Sequence, residues 1–410
     1  MQHKLIAKNT FYQTLARAAT AFIGFLITII IARKFGVLGY GDFTKVTSYV
    51  ALFYLVLDFG LNAFFLQYEK PNFKNLFYLR IFISLIIFAI LNLLVLVLPY
   101  NSSLSSGFSE SVRIGIFIFS FSVFTQSIII STSAVFQKTT NYFSYMISII
   151  IGSVVNLALV LIFAFLNFSI FLILFAFIAS SFVSALLLLK LSKENILPPT
   201  LDKKFAKEIF IKSLPIGLML IFNLVYFRAD MFLLSLFSST KAVGIYGLSY
   251  KFFDFLIALP LFLSNAIYPF LIIVKNENKK FFNLTKNYFM IFLLASIVII
   301  VPFWFASPLF ALIKSDFSGS IIPFRILLLS LPFFFTTSLL QWVLITLGKQ
   351  KFLMYVYLFS TILNIVLNII FIPQFSYMAC ATITLISEGI VFVFLIVKVI
   401  RARILLEKKT

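Results

Sequence analysis

The chain has 410 residues, of which 62% are hydrophobic and 11% charged, and its 33 basic against 13 acidic residues leave a net charge of +20. Soluble domains carry about 25% charged residues, so no water-soluble fold hides this much apolar surface. The single cysteine, Cys380, excludes an internal disulfide and points to no metal site, and the one histidine, His3, leaves no basis for histidine catalysis.

The apolar residues come in blocks of roughly 20, the length with which a helix rising about 1.5 Å per residue crosses a hydrocarbon core about 30 Å thick. Membrane strands would alternate apolar and polar residues in segments of about ten, whereas stretches such as 81–98 are apolar all round. In chain order the predicted spans are 11–32, 46–66, 81–98, 114–134, 143–166, 169–189, 213–236, 242–274, 288–309, 323–347, 352–371 and 377–397. Arg17 interrupts the first and no small-residue cleavage site follows, so it reads as a retained span rather than a signal peptide. The eighth is long enough for a span plus an interfacial extension, with kinks expected at Pro260 and Pro269. The expected class is an all-α integral membrane protein of about 12 transmembrane helices.

The basic residues orient these spans. With the N-terminus inside, 23 of the 33 lysines and arginines fall in inner segments and 7 in outer ones: Arg33, Lys34, Lys45, Arg113, Lys241, Lys314 and Arg325. Arg17, Arg228 and Lys251 lie inside spans. The asymmetry predicts that both termini are cytoplasmic. It also makes the basic excess a topology signal and an attraction to anionic inner-leaflet lipid, not a nucleic-acid footprint.

One connection is long and polar. Residues 190–212 carry six positive and three negative charges and Pro198-Pro199, which suggests a cytoplasmic linker or surface helix. It divides the chain into an N-terminal six-helix bundle, 1–190, a linker, 191–212, and a C-terminal six-helix bundle with a short basic tail, 213–410. Six being even, homologous halves would lie parallel in the membrane. Short matches recur at nearly constant offset. Tyr40-Gly41-x-x-x-Lys45 returns as Tyr246-Gly247-x-x-x-Lys251, Phe73-x-Asn75-Leu76 as Phe281-x-Asn283-Leu284, and the surroundings of Asn156 as those of Asn364.

The stretch 31–61, IARKFGVLGYGDFTKVTSYVALFYLVLDFGL, resembles the opening of the polysaccharide biosynthesis proteins. These are the O-antigen and capsule repeat-unit flippases (Wzx), grouped with multidrug (MATE) exporters and the lipid II flippase in the MOP exporter superfamily. The second half is similar through Tyr226-Phe227-Arg228-Ala229-Asp230, Val243-Gly244-Ile245-Tyr246-Gly247, Leu259-Pro260, Tyr268-Pro269 and the Gly348-Lys349 turn. The resemblance implies a MATE-like transporter of two parallel six-helix bundles in the bacterial inner membrane. Its implied activity is to move undecaprenyl-diphosphate-linked oligosaccharide to the outer leaflet by alternating access. Membrane lipid and the pathway's polymerase and chain-length proteins are the implied partners.

A flippase must carry a glycan and a diphosphate past hydrocarbon, and charges inside spans, at about 2.5–3.5 kcal/mol each, mark candidate pathways. Arg17 sits on a small, polar stripe with Thr10, Thr14, Ala21, Gly24 and Thr28, where its guanidinium would suit phosphate oxygens unless it snorkels to the interface. Arg228 and Lys251 lie at similar depths on consecutive spans, with Asp230 and Asp254 on the same helices. The four either meet cargo or neutralise one another. Lys45, the counterpart of Lys251, joins Arg17, Arg228 and Lys251 as a candidate substrate-binding residue. Asp58 and Glu388 stand near the middles of spans two and twelve without a sequence-local cation. With Asp230 and Asp254 they are candidates for ion pairing or for coupling to H+ or Na+, no other cofactor being expected.

The charges within spans, three cations and four carboxylates, do not single out an anionic cargo. A multidrug cation antiporter, or a flippase of another envelope precursor, therefore stays open beside the flippase that the resemblance favours. An enzyme is not expected: the longest outer segment, 99–113, carries one acid, one base and no histidine, and no phosphate-cradling glycine loop occurs.

Overall fold

The computed structural model describes residues 2–67, 72–198 and 202–407. Of the residues named or counted above, Lys70, Pro199, Lys408 and Lys409, and the side chains of His3, Lys4, Lys8, Thr10 and Lys203, lie outside what it describes.

Almost every described residue is helical, as it must be where no water is present to satisfy backbone groups. The order is α1 Gln2–Asp58, α2 Leu61–Gln67, α3 Phe73–Val97, α4 Glu110–Ser120, α5 Ser122–Lys138, α6 Tyr142–Phe165 and α7 Ile170–Ser192. It continues with α8 Lys203–Phe237, α9 Thr240–Ile273, α10 Asn278–Ala306, α11 Phe310–Ile313, α12 Ile321–Thr346, α13 Gln350–Phe375 and α14 Tyr377–Glu407. A two-stranded hairpin, β1 Tyr100–Asn101 and β2 Ser106–Gly107, lies between α3 and α4. Among the described residues, ten helical segments are long and apolar enough to span a membrane. The first of them holds two predicted spans, because Gly36 sits at φ 66°, ψ −172°, a conformation open only to glycine. Helix α8 covers the seventh predicted span and α14 the twelfth.

The structure redraws several edges. The fourth predicted span is two helices meeting at Phe121, while Pro260 and Pro269 lie within the single helix α9. Residues 203–212, read as linker or surface helix, are the first turns of α8, with Asp202 Oδ1 accepting from the backbone N–H groups of Lys204 and Phe205. The segment before them docks on α3. The Tyr78 hydroxyl and the Lys74 ammonium donate to the carbonyls of Ile196 and Leu197, and Ile209 packs beside Leu61, Phe73 and Leu76. The Gly348-Lys349 turn is a helix stop in which Gly348, at φ 70°, and Lys349 bond back to Ile345 and Leu344.

The chain forms two compact units. One comprises 1–228 and 239–244, the other 229–238 and 245–410. In the first unit, helices approach closely where side chains are small. A Cβ on Gly41 would come within 2.2 Å of the Thr240 carbonyl oxygen, and one on Gly244 within 2.1 Å of that of Val37, so α1 and the start of α9 cross almost backbone to backbone. A Cβ on Gly152 in α6 would meet the Ser184 hydroxyl of α7. Buried serines and threonines mostly donate to carbonyls three or four residues back on their own helix, as Ser131 does to Ser127 and Thr44 to Tyr40. Apolar side chains such as Leu93, Val97 and Phe165 face outward, as a lipid-solvated surface requires.

Candidate functional site: a polar interior in the first unit

Helices α1, α4, α5, α6 and α7 line a partly open pocket of about 420 Å³ in the first unit. Its polar lining comes from Thr20 and Tyr54 of α1, Ser122 and Gln126 of α5, Tyr145, Ser153 and Asn156 of α6, and Ser180, Ser181 and Ser184 of α7. Phe119, Phe177, Ile129 and Ile149 add apolar surface. A second cavity of about 260 Å³ shares Thr20, Tyr145 and Ile149 with the first and is completed by Gln13, Ala16, Arg17, Ser133, Gln137 and Tyr142. Both are partly open, and Arg17, which lines the second, is exposed. Among the described residues no carboxylate lines either. The Asn156 side-chain oxygen, Oδ1, is buried with no hydrogen-bond partner among the described residues.

Arg17 was identified from the sequence together with a face of the first helix that the structure rotates. The cavity face is Gln13, Ala16, Arg17 and Thr20, whereas Thr28 donates to Gly24 on its own helix. Arg17 is common to both stripes. A helix that is apolar almost throughout has no strong moment to fix its rotation.

Lys45 is buried, 1% exposed, and its ammonium donates to the Gly107 carbonyl at 2.7 Å and the Thr240 hydroxyl at 2.8 Å. Thr240 in turn donates from its backbone N–H and its hydroxyl to Ser105 O. In this conformation Lys45 therefore holds the β1–β2 hairpin. Its repeat counterpart Lys251 is exposed, so the two lysines occupy unlike surroundings.

Asp58 requires a correction. It is the last residue of α1 rather than the middle of a span, and it has a cation: Arg80 Nη2 lies 3.7 Å from its Oδ1. Arg80, counted with an inner loop, is fully buried on α3 and donates to the Leu57 carbonyl, the Ser131 hydroxyl and Asn62 Oδ1, each at 2.9 Å. The sequence signal was present in the Asn72 cap, whose Oδ1 accepts from Asn75 N–H and starts α3 at Phe73. That start places Arg80 two turns inside the helix.

In the second unit Asp230, 3% exposed, accepts from the Tyr246 hydroxyl at 2.5 Å and from the Met231 N–H at 2.7 Å. Asp254 is half-buried on α9, and in the first unit Arg228 is half-buried on α8. Glu388, 3% exposed on α14, accepts from the Thr337 hydroxyl at 2.6 Å. Beside it on α13, the Asn364 and Asn368 side chains are bonded, and Asn364 Nδ2 donates to Ser387 at 3.5 Å. The repeated asparagines thus each occupy a polar interior, Asn156 in the first unit and Asn364 in the second.

Residues 6–272 match the model of a family described as polysaccharide biosynthesis protein, and residues 215–370 that of the family described as MatE. Among curated protein sequences none matches the chain. Its fold is that of a lipid II flippase, MurJ, in an inward closed conformation, with a TM-score of 0.77, 15% identity and coverage of 95% of this chain and 87% of that one. It is also that of an inward-facing multidrug resistance MATE transporter of the MOP superfamily (TM-score 0.64, 13% identity, 98% and 96% covered). A MOP superfamily transporter from Pyrococcus furiosus is similar as well (0.62, 14%, 96% and 95%). With the first family model spanning more than half of its length, this multi-pass, all-α membrane chain belongs to the polysaccharide biosynthesis protein family.

Proposed function

We propose that the protein is a flippase that carries undecaprenyl-diphosphate-linked oligosaccharide from the cytoplasmic to the outer leaflet of the bacterial inner membrane by alternating access, with both termini inside. The supporting observation is the exposed Arg17 in a pocket with no carboxylate among its described lining residues. A guanidinium offers a planar fork of donors to diphosphate oxygens, and the absence of lining carboxylates favours an anionic over a cationic cargo there. Lys45 holds the hairpin in this reading.

Transport against a gradient needs a coupling ion, and Glu388 is the residue assigned to it. Its partner Thr337 can donate to the ionised carboxylate or accept from the protonated acid, so the site accommodates both states. Asp58 and Asp230 are ion-paired or hydrogen-bonded as structural groups, and Asp254 is the alternative coupling carboxylate.

Multidrug export is the second reading, favoured by the MatE match over 215–370 and by the buried carboxylates of the second unit. Deletion of the gene followed by mass spectrometry of lipid extracts separates the two. The flippase reading expects the lipid-linked oligosaccharide to accumulate, and expects Arg17→Ala to reproduce the accumulation with normal protein levels and Arg17→Lys not to restore full transport. No accumulation, with acquired drug sensitivity, would transfer the assignment to multidrug export.

A further inference from the structure

The 420 Å³ cavity is of the size of ligand sites, about 300–1,000 Å³, yet it lies inside one helix bundle. Its chemistry excludes two classes of occupant. A metal ion or organic cation would require a counter-charge, and among the described residues no carboxylate lines it. An acyl chain would leave the side-chain amides of Gln126 and Asn156 facing hydrocarbon, which costs several kcal/mol for each unsatisfied group.

What the lining offers is hydrogen-bonding capacity without charge. The hydroxyls of Ser153 and Ser180 donate to carbonyls of their own helices, Ile149 and Phe177, which leaves their oxygens as acceptors. The side-chain amides of Gln126 and Asn156 also line the pocket, the Asn156 Oδ1 itself being buried. These acceptors call for a ligand rich in O–H donors. The rings of Tyr54, Phe119, Tyr145 and Phe177 add flat faces whose negative π-surface suits the polarised C–H bonds of a pyranose. The arrangement of neutral acceptors, amides and aromatic faces is that of a polyol site.

We propose that this cavity receives sugar of the cargo, so that the glycan enters the N-terminal bundle itself while the diphosphate stays at Arg17. The inference rests on the flippase reading for its ligand and adds where the sugar goes. The shared lining residues Thr20, Tyr145 and Ile149 make the phosphate and sugar compartments adjoin, the order in which a lipid-linked glycan presents these groups.

The test uses the full-length protein in nanodiscs and two probes, lipid-linked oligosaccharide extracted from the source membranes and bare undecaprenyl diphosphate. The wild type is expected to bind the glycosylated lipid about tenfold or more tightly than the bare one. Gln126→Leu and Asn156→Leu are expected to remove that preference while binding of the bare lipid stays unchanged. Equal affinity for both lipids in the wild type, or a preference that survives in both variants, overturns the sugar site. Failure to bind either lipid instead removes the flippase reading. Because the leucine variants alter a packed bundle, a Ser153→Cys variant is labelled in parallel with a water-soluble maleimide, the native Cys380 being buried. Labelling that the glycosylated lipid blocks and the bare lipid does not is the expected result. No labelling of the unliganded protein, or equal protection by both lipids, overturns the proposal.

Discussion

Arg80 shows how a single charge is accommodated in hydrocarbon. Burying a guanidinium is costly unless its donors are satisfied and a counter-charge is near, and Arg80 has three oxygen acceptors and Asp58. One acceptor, Leu57 O, belongs to the last turn of α1, where the helix dipole is negative and a cation is favoured. Arg80→Ala should therefore cost about 3–5 kcal/mol and lower the thermal midpoint in detergent. Asp58→Asn should cost less, because the three hydrogen bonds to Arg80 remain. An equal loss in the two variants would show that the ion pair dominates. At the same scale, Glu388→Gln should leave folding intact and abolish the dependence of transport on an imposed ion gradient in proteoliposomes, since the amide cannot exchange the coupling ion. Retained coupling would transfer the role to Asp254. Arg80 and Asp58 were both visible as charges, but their pairing across 22 residues required the helix starts at Phe73 and Leu61.

At the scale of elements, two features tie the start of α9 to α1 and the hairpin. The reciprocal contacts of Gly41 with Thr240 O and Gly244 with Val37 O leave no space for a side chain. Gly41→Ala and Gly244→Ala should each destabilise this conformation by about 1–3 kcal/mol, measurable as a lowered unfolding midpoint. Both glycines stood in motifs singled out in the sequence, Tyr40-Gly41 and Val243-Gly244, but nothing in the motifs themselves revealed that they meet. Lys45 is the second tie. Replacing it with Met keeps the length of the side chain and removes two hydrogen bonds made by a charged donor, a loss of about 1.5–3 kcal/mol each. The expected outcome is faster proteolysis within 98–109 with the helices intact. Unchanged cleavage would mean that Thr240 alone holds the hairpin.

At the scale of the molecule, the predicted orientation is testable independently of cargo. With 23 basic residues on one side and 7 on the other, a cysteine placed at Ser103 should be labelled from outside intact cells, and one at Ser192 only after the membrane is opened. The reverse pattern would invert the topology and with it the direction of transport assigned above. The proposed halves of the sequence and the compact units do not share a boundary. The units divide within α8, between Arg228 and Ala229, and residues 239–244 at the start of α9 join the first unit through the contacts at Gly41, Val37 and the hairpin.

Composition alone determined that this chain lives in a membrane as a bundle of helices, because the number and length of apolar runs answer directly to the thickness of a bilayer and the rise of a helix. The family, too, was legible in 31–61 and the motifs of the second half. The tertiary structure decided which polar side chains face an interior and which serve the scaffold. It took Lys45 into a clamp on the hairpin, gave Asp58 its Arg80, and turned Gln13, Arg17 and Thr20 together towards Gln137 and Tyr145. The physical reason is that a spanning helix apolar on every side carries little record of its rotation. Only the packing of small residues against neighbouring helices fixes that rotation, and with it the face each polar group presents.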